Sequence, residues 1–279
     1  MSVMPEDYAE QMKSLAQTLP GVEVAPKRRR GGAIGGLLAA AAFAATKLKF
    51  LLVILKFGFV KTLFTLLLSF GGYAIIFGPW FAAALVVMIL VHEMGHVFEI
   101  RRQGMKATAP IFIPFLGAAI FQKSHPTTAY KQGLIGIAGP ILGTVGASVA
   151  AALYMSTHAS PLLLAAWIGF YINLFNLIPV GMLDGGWILG AVSKWAYVVG
   201  IAALAAMVIL LHFFSPILII IVLLSLPMMI NRFRNAADPY YATVTGRQRW
   251  GLFGAWLALV MYLGWASFWA EGLLAGLAK

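Results

Sequence analysis

The sequence predicts an all-α polytopic membrane protein of about 6–7 transmembrane helices, since a bilayer-crossing helix needs about 20 apolar residues. Three observations predict it. Of 279 residues, 61% are hydrophobic and only 10% charged, with a mean hydropathy of +0.89. A water-soluble domain carries about 25% charged residues. The segments 62–91, 132–183, 195–231 and 250–270 contain no Asp, Glu, Lys or Arg, and each is long enough for one or two spans. The basic residues fall between these runs: with the N-terminus inside, only Lys279 of the 20 lies on the outer face, as the positive-inside bias requires. The net charge of +11 therefore reads as topology and membrane-surface attraction rather than as a nucleic-acid surface. There are no cysteines, so any metal must be held by nitrogen and oxygen.

In order along the chain, residues 1–30 are polar and end in Lys27-Arg28-Arg29-Arg30, the composition of a cytoplasmic tail. Residues 31–61 mix apolar runs with Lys47, Lys49, Lys56 and Lys61 and suit an interfacial or lead-in segment. Spans are expected at 62–78, 80–100, 133–156, 161–179, 195–214, 216–230 and 250–270. Gly78-Pro79, Ser160-Pro161 and Ser215-Pro216 supply outer turns, because proline disfavours helix in the residue before it. Between the second and third spans, 107–122 places Pro110, Pro114 and Gly117 among Ile111, Phe112, Ile113 and Phe115. That composition suits a short re-entrant extended element lining a cavity.

The chemistry sits in His92-Glu93-Met94-Gly95-His96. In a helix, residues four apart share a face, so both imidazoles can meet one ion with Glu93 beside it: two zinc ligands and a general base. Given the chain's composition, the triplet would arise by chance about twice in a thousand such sequences. His92 lies nine residues before Arg101, about 14 Å inside the basic boundary at helical rise. Ionisable groups at that depth are costly unless they are paired, metallated or facing water. A catalytic zinc takes three protein ligands and an open position. By elimination Asp184 is the best third candidate, since it is the only acid between Arg101 and Ala237; His125, in an inner loop, is second. Asp184 also suits a turn capping the next helix. Asn173 and Asn176 can hydrogen-bond an extended substrate or bridge helices. Glu99, on the same face as His96, is a further candidate partner or ligand at the metal, but its spacing favours a pair with Arg102.

These residues resemble the site-2 protease family of intramembrane zinc metalloproteases. The resemblance rests on His92-Glu93-Met94-Gly95-His96, on Gly139-Pro140 in the next span, and on Asn176-Leu177-Ile178-Pro179 leading to Leu183-Asp184-Gly185-Gly186. It covers roughly residues 62–190, a three-span catalytic core, with 191–279 left as C-terminal transmembrane helices. The resemblance implies that Zn2+ is bound by His92, His96 and Asp184, that Glu93 activates water, and that Asn176 helps hold the substrate backbone. It also implies that the extended segment, with Ile111, Phe112 and Ile113 at its centre, pairs with an unwound substrate as an added strand. Gly181 stands where many relatives carry a second proline, and no PDZ or CBS module is legible. The expected partners are transmembrane protein substrates and the lipid bilayer, not nucleic acid, with the active site nearer the cytoplasmic face. Oligomeric state has no signal in the sequence. Competing readings are a prenyl-protein endopeptidase, for which Glu271 is the one available downstream glutamate, a multi-span transporter, and a catalytically inactive scaffold.

Overall fold

The computed structural model describes residues 60–277 apart from 116, 121, 123, 212–215 and 236. The expected tail over 1–30, and the lead-in up to residue 59, lie outside the described residues. A helix occupies each expected span: α1 (Val60–Phe77), α2 (Pro79–Arg102), α3 (Ala129–Thr157), α4 (Ser160–Asn176), then, after the short α5 (Asp184–Val192), α6 (Ala196–Leu211), α7 (Pro216–Arg234) and, after a single turn α8 (Pro239–Ala242), α9 (Gly246–Leu277). Four of them, α1, α2, α3 and α9, are long and apolar enough to cross a membrane.

Their turns follow local chemistry. Gly78 takes φ +84, a left-handed conformation that costs glycine little, and Pro79 then opens α2, where its missing N–H removes nothing. Thr128 caps α3, its hydroxyl accepting from Lys131 N at 3.3 Å. α4 stops at Asn176, three residues before Pro179, which is shorter than the expected span.

Burial separates the helices into two sets. Half of the apolar window of α2 and 56% of that of α3 are buried, against 11% for α1 and 22% for α9. α2 and α3 are therefore the inner pair. α1 and α9 turn Phe64, Ile75, Trp265 and Phe268 outward, large apolar surfaces suited to lipid. One core cluster joins α3, α4 and α9 through residues such as Ala147, Leu163, Phe170 and Leu263. The inner pair approaches closely because its contact residues are small: a Cβ on Gly95 would lie 2.9 Å from the Gly139 Cα.

The expected extended element is an antiparallel hairpin, β1 (Ile111–Ile113) and β2 (Gly117–Ala119), with Phe112 opposite Ala118. α1 holds its β1 side. Thr62 Oγ1 donates to the Pro110 carbonyl at 2.6 Å, Phe112 N–H donates to Thr65 Oγ1 at 3.2 Å, and Phe115 N–H to Tyr73 Oη at 2.9 Å.

Candidate metal centre

Helical spacing on α2 puts His92 and His96 side by side, and the break after α4 returns the chain so that Asp184, in the first turn of α5, faces them. Leu183 holds the cap position of α5, so the Asp184 carboxylate is not spent on capping. That return is tight. A Cβ on Gly185 would fall 2.6 Å from the Ile178 carbonyl oxygen, and one on Gly186 2.6 Å from that of Val180, so side chains are excluded at both positions.

His92, His96 and Asp184 offer ligand atoms within 4.8 Å of one another. His92 Nε2 lies 3.1 Å from Asp184 Oδ2, His96 Nε2 3.3 Å from Asp184 Oδ1, and the two Nε2 atoms are 3.1 Å apart. All three residues are buried, as is Glu93, with between 3% and 8% of each exposed. The outer ring nitrogens have partners that settle the tautomers. His92 Nδ1 lies 2.8 Å from Asn173 Oδ1, whose Nδ2 donates to the Gly169 carbonyl at 2.6 Å, and His96 Nδ1 lies 2.8 Å from the Ile135 carbonyl. Both oxygens only accept, so each Nδ1 carries a proton, which leaves each Nε2 free to turn a lone pair inward. Asp184 Oδ2 is buried with no hydrogen-bond partner. Two imidazole Nε2 atoms and a carboxylate converging on one point suit a cation, and two imidazoles with one carboxylate form a donor set of zinc. Zn2+ is the cofactor that fits. A Cβ on Gly139 would lie 3.0 Å from His92 Nε2, so α3 leaves room for the imidazoles only as glycine.

Two cavities meet at this centre. One of about 420 Å3 is lined by apolar side chains including Ile89, Phe115, Phe175 and Ile221. The other, about 350 Å3, reaches His96, Gln122, Met182, Asp184 and Trp187. Both share His92, Glu93, Ala118 and Asn176. Glu93 thus borders both spaces beside the ligands.

Of the remaining candidates, His125 is exposed and outside the ligand group. Asn173 is fully buried and lines neither cavity; of its two expected roles it takes the bridging one, to His92. Asn176 faces both cavities while its Nδ2 donates to the Ile172 carbonyl at 3.0 Å. Ile111, Phe112 and Ile113 do not reach the centre. α1 bonds to β1, while Gly117, Ala118 and Ala119 of β2 line the cavities. Glu99 accepts from Arg102 Nε at 2.6 Å, as its spacing predicts. Glu271 accepts from Tyr171 Oη at 2.6 Å and is not in the ligand group. The sequence offered Asn173 only as a helix bridge or substrate contact, not as the partner of His92, and the Ile135 carbonyl carries no sequence signal at all.

The model of Peptidase family M50 matches residues 80–159 and 151–220, which include His92, Glu93, His96 and Asp184. A zinc metalloprotease of Methanocaldococcus jannaschii is 31% identical over 157 residues, 51% of this chain; the chain spans 45% of that relative's length. The solved site-2 protease from Methanocaldococcus jannaschii is 24% identical, over 62% of this chain and 87% of that one, with a TM-score of 0.37. With half of its length matched by the family model, and the ligand set assembled inside that half, the chain belongs to Peptidase family M50.

Proposed function

We propose that the protein is an intramembrane zinc metalloprotease that hydrolyses peptide bonds within transmembrane segments of other membrane proteins. The observation that carries this reading is a buried His92, His96 and Asp184 set with Glu93 at the junction of two cavities, inside apolar helices. Zinc bound there supplies Lewis acidity, polarising a carbonyl and lowering the pKa of water. Glu93 takes the proton of the attacking water as its oxygen adds to the scissile carbonyl carbon. It then delivers that proton to the nitrogen as the C–N bond breaks.

A helical substrate shields its peptide bonds until its backbone hydrogen bonds are exchanged for others. β2 offers that exchange. Phe112 N–H points to Thr65, away from the hairpin partner, so Phe112 and Ala118 form a non-hydrogen-bonded pair and the Ala118 N–H and C=O also point outward. Ala118 lines both cavities, so an unwound substrate can add there as a third strand, with Asn176 on the opposite wall. The positions of Arg101, Arg102, Lys131, Lys194, Arg232 and Arg249 at helix ends support a cytoplasmic N-terminus.

Glu93→Gln tests the mechanism. It should keep zinc and fold while cleavage of a transmembrane substrate falls about 100-fold or more. Wild-type turnover by that variant, assayed on purified protein, would overturn the proposal.

A further inference from the structure

The segment 177–192, which carries Asp184, is gripped along its length by side chains from two of the helices that follow it, α7 and α9. Trp256 Nε1 of α9 donates to the Leu177 carbonyl at 2.8 Å. Ser225 Oγ of α7, fully buried, accepts from Met182 N–H at 3.0 Å, two residues before the ligand. Arg232 of α7, also buried, donates from Nε to the Gly190 carbonyl at 3.1 Å while its guanidinium stacks 3.8 Å over the Tyr241 ring. Arg249 of α9 donates to the Ala191 carbonyl at 3.0 Å and to that of Val192, and to the Tyr241 carbonyl at 2.9 Å.

We infer that α7 and α9 form a clamp on 177–192, with Ser225, Arg232, Arg249 and Trp256 as positioning residues that set Asp184 against His92 and His96. The physical reason is the shape of the segment. His92 and His96 ride on one long helix and their Nδ1 partners lie in α3 and α4, so their placement is set by helix packing alone. Asp184 follows a helix break and opens a helix of only nine residues, too short to hold itself. Its position must be imposed from outside. The two arginines satisfy carbonyls that the α5 C-terminus leaves without helical partners and place positive charge at the negative end of its dipole. Trp256 satisfies the carbonyl at the C-cap of α4, and Ser225 holds the turn between. All four residues lie beyond residue 220, where the family match ends. The clamp is therefore a means by which the C-terminal helices tune the metal, and it rests on the zinc reading but not on proteolysis.

Ser225→Ala, Trp256→Phe and Arg249→Met each remove one grip. In the purified full-length protein they should weaken zinc binding about tenfold, the effect of losing a partner that orients a ligand. Zinc affinity is read by chelator competition, and the visible absorption of the cobalt-substituted protein should shift as Asp184 moves, while the metal-free protein unfolds like the wild type. In cleavage, kcat should fall with KM retained, and Arg249→Lys should recover part of the loss. Should Arg249→Met not fold, Ser225→Ala and Trp256→Phe decide the question alone. Wild-type zinc affinity and cobalt spectrum in these variants would reduce the contacts to packing and overturn the inference. A wild-type protein that binds neither metal would instead overturn the zinc reading beneath it.

Discussion

Asn173 Oδ1 and the Ile135 carbonyl each accept an N–H from an inward-facing imidazole, so changing one of them alters a tautomer without altering a ligand. Asn173→Ala leaves His92 Nδ1 buried and unpartnered, and a Cβ on Gly143 would already meet the Asn173 side chain, so the site has no slack to rearrange. The expected outcome is zinc affinity lower by about 10- to 100-fold, with the helical far-UV signal intact, measured by chelator competition. Asp184→Ala removes a ligand and should leave little bound zinc and no turnover, whereas His125→Ala, an exposed loop change, should leave both near wild type. Full zinc in Asp184→Ala together with an inactive His125→Ala would move the third ligand to the loop.

At the scale of elements, the proposed pairing of a substrate rests on the hairpin. Its turn carries Phe115 at φ +66, an unusual conformation for a residue with a large side chain, pinned by Tyr73 through the backbone bond and an edge-on ring contact at 5.2 Å. With β1 committed to α1, the free edge belongs to β2. Ala118→Pro removes the outward N–H without touching the β1–β2 ladder and should lower cleavage about tenfold, the worth of one backbone hydrogen bond. Zinc content should not change. Ile113→Ser, on the strand bonded to α1, should cleave like the wild type. Equal effects at the two positions would return the pairing edge to β1.

For the whole molecule, a metal held by His92, His96 and Asp184 would link α2 to α5, and α5 is held in turn by α7 and α9. Zinc bound only by the folded state should therefore stabilise the full membrane core. At free zinc of 100 times Kd the gain is about 2.7 kcal/mol. Chelation should lower the thermal unfolding midpoint in detergent, and added zinc should restore it. Glu93→Gln should respond as the wild type does, because it keeps every ligand, while Asp184→Ala should not respond. A midpoint indifferent to chelation in the wild type would detach the metal from the fold.

The sequence alone determined the membrane class and the positions of the helices, because hydropathy and charge act through solvent on each stretch of chain separately. It also placed His92, Glu93 and His96 on one face, since helical spacing is a local property. The Glu99–Arg102 pair was legible for the same reason. Tertiary structure decided the rest. Whether Asp184 or His125 completes the donor set depends on where a broken segment is returned after α4, which no local pattern records. Asn173 reaches His92 across 81 residues, so its role exists only once α2 and α4 pack. Which strand faces the metal depends on which one α1 covers, and the clamp on 177–192 depends on side chains from α7 and α9 finding backbone atoms. Backbone carbonyls and N–H groups are identical at every position along a sequence, so a bond to one of them becomes specific only in three dimensions.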